Sequence, residues 1–379
     1  MTETSSAVPA PPSLWEIARL YLKLGTIAFG GPAAHIAMME DEVVRRRCWL
    51  TRQEFLDLLG AANLIPGPSS TELAIYIGYR KRGVPGLLVA GCCFILPAAV
   101  IVGVIAWAYV RFGHLPALQG ILYGIKPVVI AIVVQALWRL GRTAVKTPLL
   151  AAVGIGAAIL SAVSATPVAV LFGAGLIVAA IAWVKQGRGQ SAVPALAPGV
   201  WPMLVSIPFG LWPLFWVFVK IGCVVFGSGY VLLAFLRADL VSRLHWLNEG
   251  QLLDAVAVGQ VTPGPVFTTA TFIGYLLGGS KGAIVATAGI FLPAFVLVAA
   301  TAPVVRRLRG SPIAGAFLDG LNVASAALMA VVTWQLARAA VVDMTTGAIA
   351  AASAALLFAL GLNATWLVLG GAVVGIILH

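Results

Sequence analysis

The chain has 379 residues, of which 61% are hydrophobic and 10% charged, and its mean hydropathy is +1.01. An ordinary soluble domain carries about 25% charged residues, so this balance excludes that class and indicates a chain solvated by lipid. The net charge of +11 would point to nucleic acid in a soluble protein. Here lysine and arginine stand in short connections between apolar segments, where they hold loops in the cytoplasm. We expect a multi-pass inner-membrane protein that is embedded in the bilayer and has no nucleic-acid partner.

The first apolar helix is predicted at about Leu14–Gly30, after an N-terminal tail at residues 1–13. The tail lacks the basic flank and apolar core of a secretory signal, so we expect the first helix to stay in the membrane. Glycines are expected to end this helix at Gly30 and Gly31, and the corresponding later helix at Gly227. Glycine at such positions ends a helix or allows close approach of another one.

Lys23 lies in the middle of that helix, and Lys220 lies in a later apolar helix predicted at about 204–227. An ionised residue at membrane depth is a candidate functional residue, and a lysine can neutralise an oxyanion. Both lysines are therefore candidates for substrate binding. The alternative is that the side chains reach the membrane interface.

A short helix is predicted to begin at the capping box Thr51–Glu54 and to end at Pro66-Gly67-Pro68, where proline removes a backbone donor. Its length of about fourteen residues is too short for a bilayer that needs about 20. Broken backbone inside a membrane is tolerated where protein or a water-filled cavity satisfies it. The helix that restarts after the break presents free N–H groups and a positive dipole end, which favour an anion.

The same pattern recurs at Pro263-Gly264-Pro265, after a second capping box at Asn248. Polar side chains accompany both breaks and are candidates for substrate binding: Asn63, Ser69, Ser70 and Thr71 at the first, and Gln260, Thr268 and Thr269 at the second. A pair of packing hairpins with capping hydroxyls would contain the same residues. The symmetric pairing favours a binding site. Lys126, within the apolar stretch 121–134, is a further candidate cation.

Three carboxylates are candidates for carrying a coupling proton: Glu72 beside the first break, and Asp57 and Asp254 upstream of the two breaks. A buried carboxylate with a raised pKa suits that task. Glu72 could equally be a helix-start carboxylate favoured by the dipole. Asp57 and Asp254 could instead pair with the neighbouring Arg52 and Arg243.

Four long apolar spans are predicted after each break, with a separation near Ser164–Pro167 between two of them in the first half. This gives an all-α polytopic membrane protein with about five full spans and one broken Pro-Gly-Pro hairpin in each half.

An internal repeat is visible at a nearly constant offset. Adding 197 maps Lys23 to Lys220, Asp57 to Asp254 and Pro66-Gly67-Pro68 to Pro263-Gly264-Pro265. Adding 196 maps Trp138 to Trp334 and Arg142 to Arg338. Matches at lysine, aspartate, proline and tryptophan in one register predict two homologous repeats, 14–185 and 201–379, joined by a connector at 186–200.

Loop charges predict that the repeats are inverted. Arg80-Lys81-Arg82 is strongly basic, while its counterpart Gly279-Ser280-Lys281 has one cation. One span later the bias reverses, with Arg111 alone against Arg306, Arg307 and Arg309. The positive-inside rule then places the halves in opposite orientations, as in many secondary transporters.

Enzyme chemistry is not indicated. The four cysteines form no CxxC pair, the four histidines form no HExxH motif, and no GxxxxGK[ST] loop is present. We therefore expect no catalytic residues, metal or cofactor.

Together these residues resemble the chromate ion transporter family in its long, two-domain form. The resemblance rests on Phe29-Gly30-Gly31-Pro32 with His35, on Leu64 to Pro68 with Ser70-Thr71-Glu72, and on Phe226 to Gly229 with Thr262 to Pro265. It covers the chain from Leu14.

The resemblance implies export of chromate from the bacterial cytoplasm, linked to the proton motive force and conferring chromate resistance. Chromate has the shape and charge of sulfate, so a transporter of sulfate or another small oxyanion is the alternative, ahead of an anion channel. The second repeat departs from the first, with Val266-Phe267 for Ser69-Ser70 and Thr269 for Glu72. The two hairpins therefore need not do equal work, and if only one binds substrate, the first is preferred. The sequence is compatible with several oligomeric states, a homodimer among them.

Overall fold

The computed structural model describes residues 11–29, 31–113, 115–163, 166–185, 208–226, 229–303 and 312–378. Within these ranges the chain is helical and contains no β-strand. Helices long and apolar enough to cross a membrane lie at Ser69–Phe112, Leu118–Ala144, Pro167–Lys185, Val266–Thr301 and Pro312–Ala340. The protein is an all-α, multi-pass membrane protein. The predicted helix ends at Gly30 and Gly227, the connector at 186–200 and most of the tail lie outside the described residues.

The first half contains seven helices in the described ranges: α1 (Leu14–Ile27), α2 (Gly31–Glu40), α3 (Arg52–Ala62), α4 (Ser69–Phe112), α5 (Pro116–Ala144), α6 (Pro148–Ala162) and α7 (Pro167–Lys185). A π-helical turn at Asp41–Arg46 continues α2. Gly31 opens α2 with φ +75°, a conformation in which a side chain would be strained.

The second half contains α8 (Leu211–Val224), α9 (Leu232–Leu236), α10 (Glu249–Val261), α11 (Thr269–Thr301), α12 (Pro312–Ala340), α13 (Met344–Ala359) and α14 (Ala364–Leu378). A 3-10 turn at Gly229–Val231 precedes α9, a π-helical turn at Arg237–Arg243 follows it, and a 3-10 turn at Val266–Thr268 precedes α11.

Helix starts follow the local sequence. The predicted capping boxes of α3, at Thr51 and Glu54, and of α10, at Asn248 and Gln251, are both confirmed. Each pair satisfies two backbone donors that the first turn leaves free. Both helices then end within a few residues of the proline-containing breaks, because proline cannot continue the hydrogen-bond ladder.

The first arm of α4 (69–81) is folded back against the second arm (84–112). The reversal occurs at Arg82 and Gly83, where Gly83 has φ +58°, a value that favours glycine. Gly78 and Gly86 then pack backbone to backbone, and a Cβ on either would overlap the other. The first arm spans only about 20 Å, less than the ~30 Å of a hydrocarbon core.

The corresponding reversal in α11 occurs at Gly278 and Gly279. Thr271 and Thr287 share a hydrogen bond of 2.8 Å between their hydroxyl oxygens. In a continuous helix, residues this far apart in sequence would be about 24 Å apart. The short distance therefore requires that the two arms of α11 fold back against each other.

Some predicted spans are shorter than expected. The first helix ends at Ile27 and its counterpart starts at Leu211 rather than near 204. Four apolar helices follow each break within the described residues, but α6, α13 and α14 have only 15 or 16 residues. Two of them begin directly after the capping residues Thr147 and Asp343.

The two halves interlock. α4 packs against α11 and α5 packs against α12. The remaining helices pack on helices of the other half: α6 and α7 pack on α12, and α13 and α14 pack on α5. The largest hydrophobic cluster accordingly mixes both halves, with Val129 and Val133 of α5 packed together with Leu321 and Leu328 of α12. The proline-containing breaks lie beside this shared core.

Candidate functional site

The two breaks dock reciprocally on the other half. The Gly67 N–H donates to the Val225 carbonyl at 2.7 Å, and the Gly264 N–H donates to the Ala28 carbonyl at 2.9 Å. Gly67 and Gly264 have φ values of +137° and +89°. Ala28 and Val225 cap α1 and α8, so each break satisfies a carbonyl at the end of the other half's first helix.

A cluster of buried polar side chains surrounds the first break; we define it as Tyr21, His35, Ser70, Thr71 and Glu72. Each of these five residues is at most 2% exposed. Tyr21 and His35 both pack edge-on against the Phe94 ring, with ring centroids 6.3 and 5.6 Å away. Ser70 lies 3.3 Å from Nδ1 of His35. We refer to these five residues as the first-break cluster.

Several polar atoms of the first-break cluster have no hydrogen-bond partner. They are the Tyr21 hydroxyl, the Thr71 hydroxyl and both carboxylate oxygens of Glu72. The Glu72 carboxylate lies against Gly67, where a Cβ would overlap it. An unpartnered buried polar group costs about 1–3 kcal/mol, and an unpaired carboxylate costs more unless it is protonated. These unpartnered hydrogen-bond donors and acceptors are suited to bind a proton and a polar ligand.

The second break lacks such a cluster. Thr268 and Thr269 are buried, but their hydroxyls donate to the Pro265 and Val266 carbonyls at 2.8 Å each. The positions equivalent to Tyr21, His35 and Ser70 are the apolar Phe218, Leu232 and Phe267. The backbone of the second break therefore satisfies both threonine hydroxyls, whereas the hydroxyl of Thr71 and the carboxyl of Glu72 at the first break have no partner.

The other predicted polar residues at the breaks differ in their burial and in their hydrogen bonds. Asn63 forms the exposed C-cap of α3, where its N–H donates to the Leu59 carbonyl at 3.1 Å. Gln260 is partly buried, and its Nε2 atom is buried without a partner. Ser69 opens α4, whose N-cap Pro68 has no side-chain hydrogen bond to give. Sequence reasoning placed these residues at the breaks, and the structure places them there.

Each candidate lysine lies beside a carboxylate. Nζ of Lys23 lies 2.7 Å from Glu42, and Nζ of Lys220 lies 2.6 Å from Asp239. Glu42 and Asp239 are 197 residues apart, as the lysines are, so the repeat offset could have revealed these partners. Further arginines crowd the same carboxylates: Arg46 and Arg47 at Glu42, and Arg243 at Asp239.

Lys126 belongs to a third ion pair, which joins the halves. Its Nζ lies 3.1 Å from Asp254, and the Tyr109 hydroxyl donates to the same carboxylate at 2.8 Å. The alternative pairing of Asp254 with Arg243 is not formed, because Arg243 pairs with Asp239 at 3.1 Å. Tyr109 and Lys126 belong to α4 and α5, so this long-range contact is invisible in local sequence.

Arg52 and Asp57 were the other suggested pair. Arg52 lies 3.6 Å from Glu40, and Asp57 accepts a hydrogen bond of 3.3 Å from Gln53. At the equivalent positions in the second half the charges are exchanged, since Arg237 is bidentate to Glu249. Both pairs hold the π-helical region to the start of the following short helix.

A groove of about 670 Å³ lies apart from the breaks, between α5, α12 and α13. It is open and largely apolar, with Trp138, Arg142 and Phe358 among its lining residues. The first-break cluster, by contrast, is buried, so the structure represents a conformation that is closed at this site.

The sequence profile of the chromate transporter family matches this chain twice, at residues 15–182 and at residues 212–376. A chromate transport protein of Cupriavidus metallidurans is 34% identical over 390 residues, covering 100% of this chain and 96% of the relative. A probable chromate transport protein of Synechococcus elongatus is 33% identical over 349 residues, covering 88% and 87%. A chromate transport protein of Pseudomonas aeruginosa is 30% identical over 350 residues, covering 88% and 84%. No solved structure matches the chain.

Proposed function

This chain belongs to the chromate transporter family, and on that premise we propose that it is a secondary transporter that exports chromate across the bacterial inner membrane. Transport is driven by the proton motive force and confers chromate resistance. The observation that carries the proposal is the first-break cluster, where four buried polar atoms lack partners beside the start of a helix. Such an arrangement suits an oxyanion and a coupling proton.

Chromate binds at the start of α4. The Thr71 hydroxyl is buried and unpartnered, so it is available to donate to an oxyanion oxygen. The Tyr21 hydroxyl is the second unpartnered donor of the first-break cluster. The dipole of the 69–81 arm adds positive potential at the same end. The second break serves as scaffold, because Thr268 and Thr269 already donate to their own backbone.

Glu72 carries the coupling proton. With both oxygens buried and unpartnered, its carboxyl is stable in this conformation only when neutral. Opening the site to the outside lets Glu72 take up a proton, and opening it to the cytoplasm lets the proton leave while chromate enters. Inward proton movement thereby drives the outward movement of the dianion.

The lysine pairs hold the closed conformation. Lys23, Lys126 and Lys220 each lie within about 3.1 Å of a carboxylate, so none offers a free charge to chromate while its pair is intact. Lys126 is the one most suited to contact the anion after rearrangement, since its partner Asp254 lies on α10, just before the second break. Separation of that pair frees one cation and one proton acceptor together.

The transporter consists of two inverted repeats at 14–185 and 201–379, each with a re-entrant Pro-Gly-Pro hairpin. The contacts that recur at the offset of 197 support the duplication: Lys23–Glu42 with Lys220–Asp239, and Gly67–Val225 with Gly264–Ala28. The hairpin is supported by Arg80, at the end of the 69–81 arm, which lies 3.4 Å from Glu54 at the start of α3. The opposite charge bias of the loops supports the inversion.

The proposal is tested with everted membrane vesicles that take up labelled chromate. We expect saturable uptake that needs a proton gradient and falls when a protonophore collapses that gradient. Inhibition by added sulfate measures the selectivity for chromate over sulfate. Uptake that ignores the gradient would contradict coupled export.

Glu72→Gln is the matched variant, because it keeps the shape of the side chain but cannot release a proton. We expect gradient-driven accumulation to fall at least about tenfold, a change that corresponds to ~1.4 kcal/mol. Asp57→Asn makes the equivalent change at the other candidate carboxylate of the first half and is the control, since Asp57 is only partly buried and accepts a bond from Gln53 on its own helix. If Glu72→Gln accumulates chromate as the wild type does, Glu72 does not carry the proton.

A further inference from the structure

A chain of hydrogen bonds connects the second break to the first-break cluster. The Gly264 N–H donates to the Ala28 carbonyl at 2.9 Å. The same carbonyl lies 3.0 Å from Nε2 of His35, and Nδ1 of His35 lies 3.3 Å from the Ser70 hydroxyl. His35 is 1% exposed, so its ring has no solvent to satisfy either nitrogen.

The Ala28 carbonyl fixes the proton positions along this chain. A carbonyl oxygen can only accept, so Nε2 of His35 must carry a hydrogen. In the neutral ring Nδ1 is then an acceptor, and the Ser70 hydroxyl must donate to it. The single hydroxyl proton of Ser70 is therefore engaged, and its lone pairs are what remain for any ligand. An oxyanion needs donors, so Ser70 is unsuited to bind one in this state.

We infer that His35 is a positioning residue that sets the direction of the Ser70 hydrogen bond, so that a proton on Nδ1 converts Ser70 into a donor for an oxyanion bound at the first break. With Nδ1 protonated, His35 donates to the Ser70 oxygen and the hydroxyl proton turns towards the anion. The imidazolium charge also lies one residue away from that anion. This inference rests on the proposed function and adds a proton-dependent control of affinity.

Burial lowers the pKa of His35 to about 4, so a proton on Nδ1 needs a negative charge beside the ring. Tyr21 of α1 and Glu72 of α4 are the titratable residues of the first-break cluster on the helices packed against α2. Glu42 of the adjoining π-helical turn is also buried but is paired with Lys23 at 2.7 Å. The other charged side chains of these elements are partly or fully exposed: Glu16, Arg19, Lys23, Glu40, Asp41, Arg45, Arg46, Arg80, Lys81, Arg82 and Arg111. Glu72 is thus the buried carboxyl of these elements without a cation partner, and it can balance an imidazolium once its proton has left as chromate enters.

The second half provides a comparison within the same chain. Its equivalents of His35 and Ser70 are Leu232 and Phe267, so the connection from a carbonyl through a ring to a hydroxyl is unique to the first break among these paired positions. The Val225 carbonyl nevertheless accepts from Gly67 as Ala28 does from Gly264. The docking of the breaks therefore needs no histidine, and His35 has a separate role.

The test measures the KM for chromate in everted vesicles between about pH 5 and about pH 8, because burial lowers the pKa of His35 and the bound dianion raises it again. His35→Gln keeps one donor for Ala28 and one acceptor for Ser70 but cannot become charged. We expect its KM to equal that of the wild type at high pH and to exceed it about tenfold at low pH, the effect of one hydrogen bond to a charged group. Chromate itself takes up a proton near neutral pH, so the ratio of variant to wild type is read at each pH.

Ser70→Ala is the second variant and serves if His35→Gln folds poorly. It should also lose the low-pH gain in affinity, and the double variant should be no worse than either single one. A constant ratio of variant to wild-type KM across the pH range, in either single variant, would overturn the inference. If wild-type vesicles take up no chromate, the proposed function fails instead. The purified wild type and variants then decide the inference by whether chromate raises their melting temperature in the same pH-dependent way.

Discussion

At the scale of single residues, the two halves differ in what their breaks leave unsatisfied. Thr71 and Thr268 occupy equivalent positions, and both are fully buried. Thr268 donates to Pro265 at 2.8 Å, whereas the Thr71 hydroxyl has no partner. An unmet buried hydroxyl lowers stability by about 1–3 kcal/mol, so the two threonines differ in what they contribute to the stability of their breaks.

Thr71→Val should therefore separate stability from function. The methyl group replaces an unpartnered hydroxyl of similar size, so we expect the empty protein to become more stable by about 1 kcal/mol. The same change removes a donor for chromate and should raise KM by about tenfold. The melting temperature in detergent and vesicle uptake measure the two effects.

Thr268→Val is the matched control. It removes a hydroxyl that is already bonded to its own turn, so uptake should remain near the wild-type level and stability should not rise. Equal losses of uptake in Thr71→Val and Thr268→Val would show that both breaks contribute to chromate binding.

At the scale of helices and turns, the ion pair between Arg237 and Glu249 makes a specific prediction. The first half has the same contact with the charges exchanged, as Glu40 and Arg52. The geometry therefore accepts either polarity. Arg237→Glu or Glu249→Arg alone places like charges together and should lower stability by about 1–2 kcal/mol.

The double variant Arg237→Glu with Glu249→Arg should recover most of that loss. Thermal unfolding of the purified protein measures all three variants, and the control is the same exchange at Glu40 and Arg52. That pair is more exposed and should respond by less than about 1 kcal/mol. Failure of the exchange to restore stability would mean that the pair does not hold α10 in place.

Element boundaries were predictable where local chemistry decides them. Capping boxes at Thr51 and Asn248 and the proline-containing breaks are visible in sequence because caps and proline act within one helical turn. The loops expected at Arg80-Lys81-Arg82 and Gly279-Ser280-Lys281 lie at or beside the reversals at Gly83 and Gly279. The close packing of Gly78 on Gly86 was not predicted, because it forms only when the arms are folded together.

The candidate site was predictable only in part for the same reason. Ser70, Thr71 and Glu72 are adjacent to a visible break, but Tyr21 and His35 reach it from other helices through their packing on Phe94. Lysines in apolar segments were visible as candidates. Their carboxylate partners lie about 19 residues or more away, and local patterns carry no information on such contacts.

At the scale of the whole molecule, the proposed inversion of the repeats predicts the location of two turns. Lys81 and Lys281 lie beside the reversals of α4 and α11. Reporter groups attached near these residues should read opposite sides of the membrane, because inverted repeats present equivalent turns to opposite compartments. Labelling of single cysteines with an impermeant reagent in sealed and everted vesicles measures the side. Labelling of both from one side would contradict the inversion.

The reciprocal bonds at Gly67 and Gly264 have a consequence for how far the two halves can differ. Both bonds join main-chain atoms, so no side-chain replacement deletes them directly. The two halves differ at the positions of His35, Ser70 and Glu72, yet both main-chain bonds are present. Bonds of this kind allow the side chains of the two halves to differ without separating the halves.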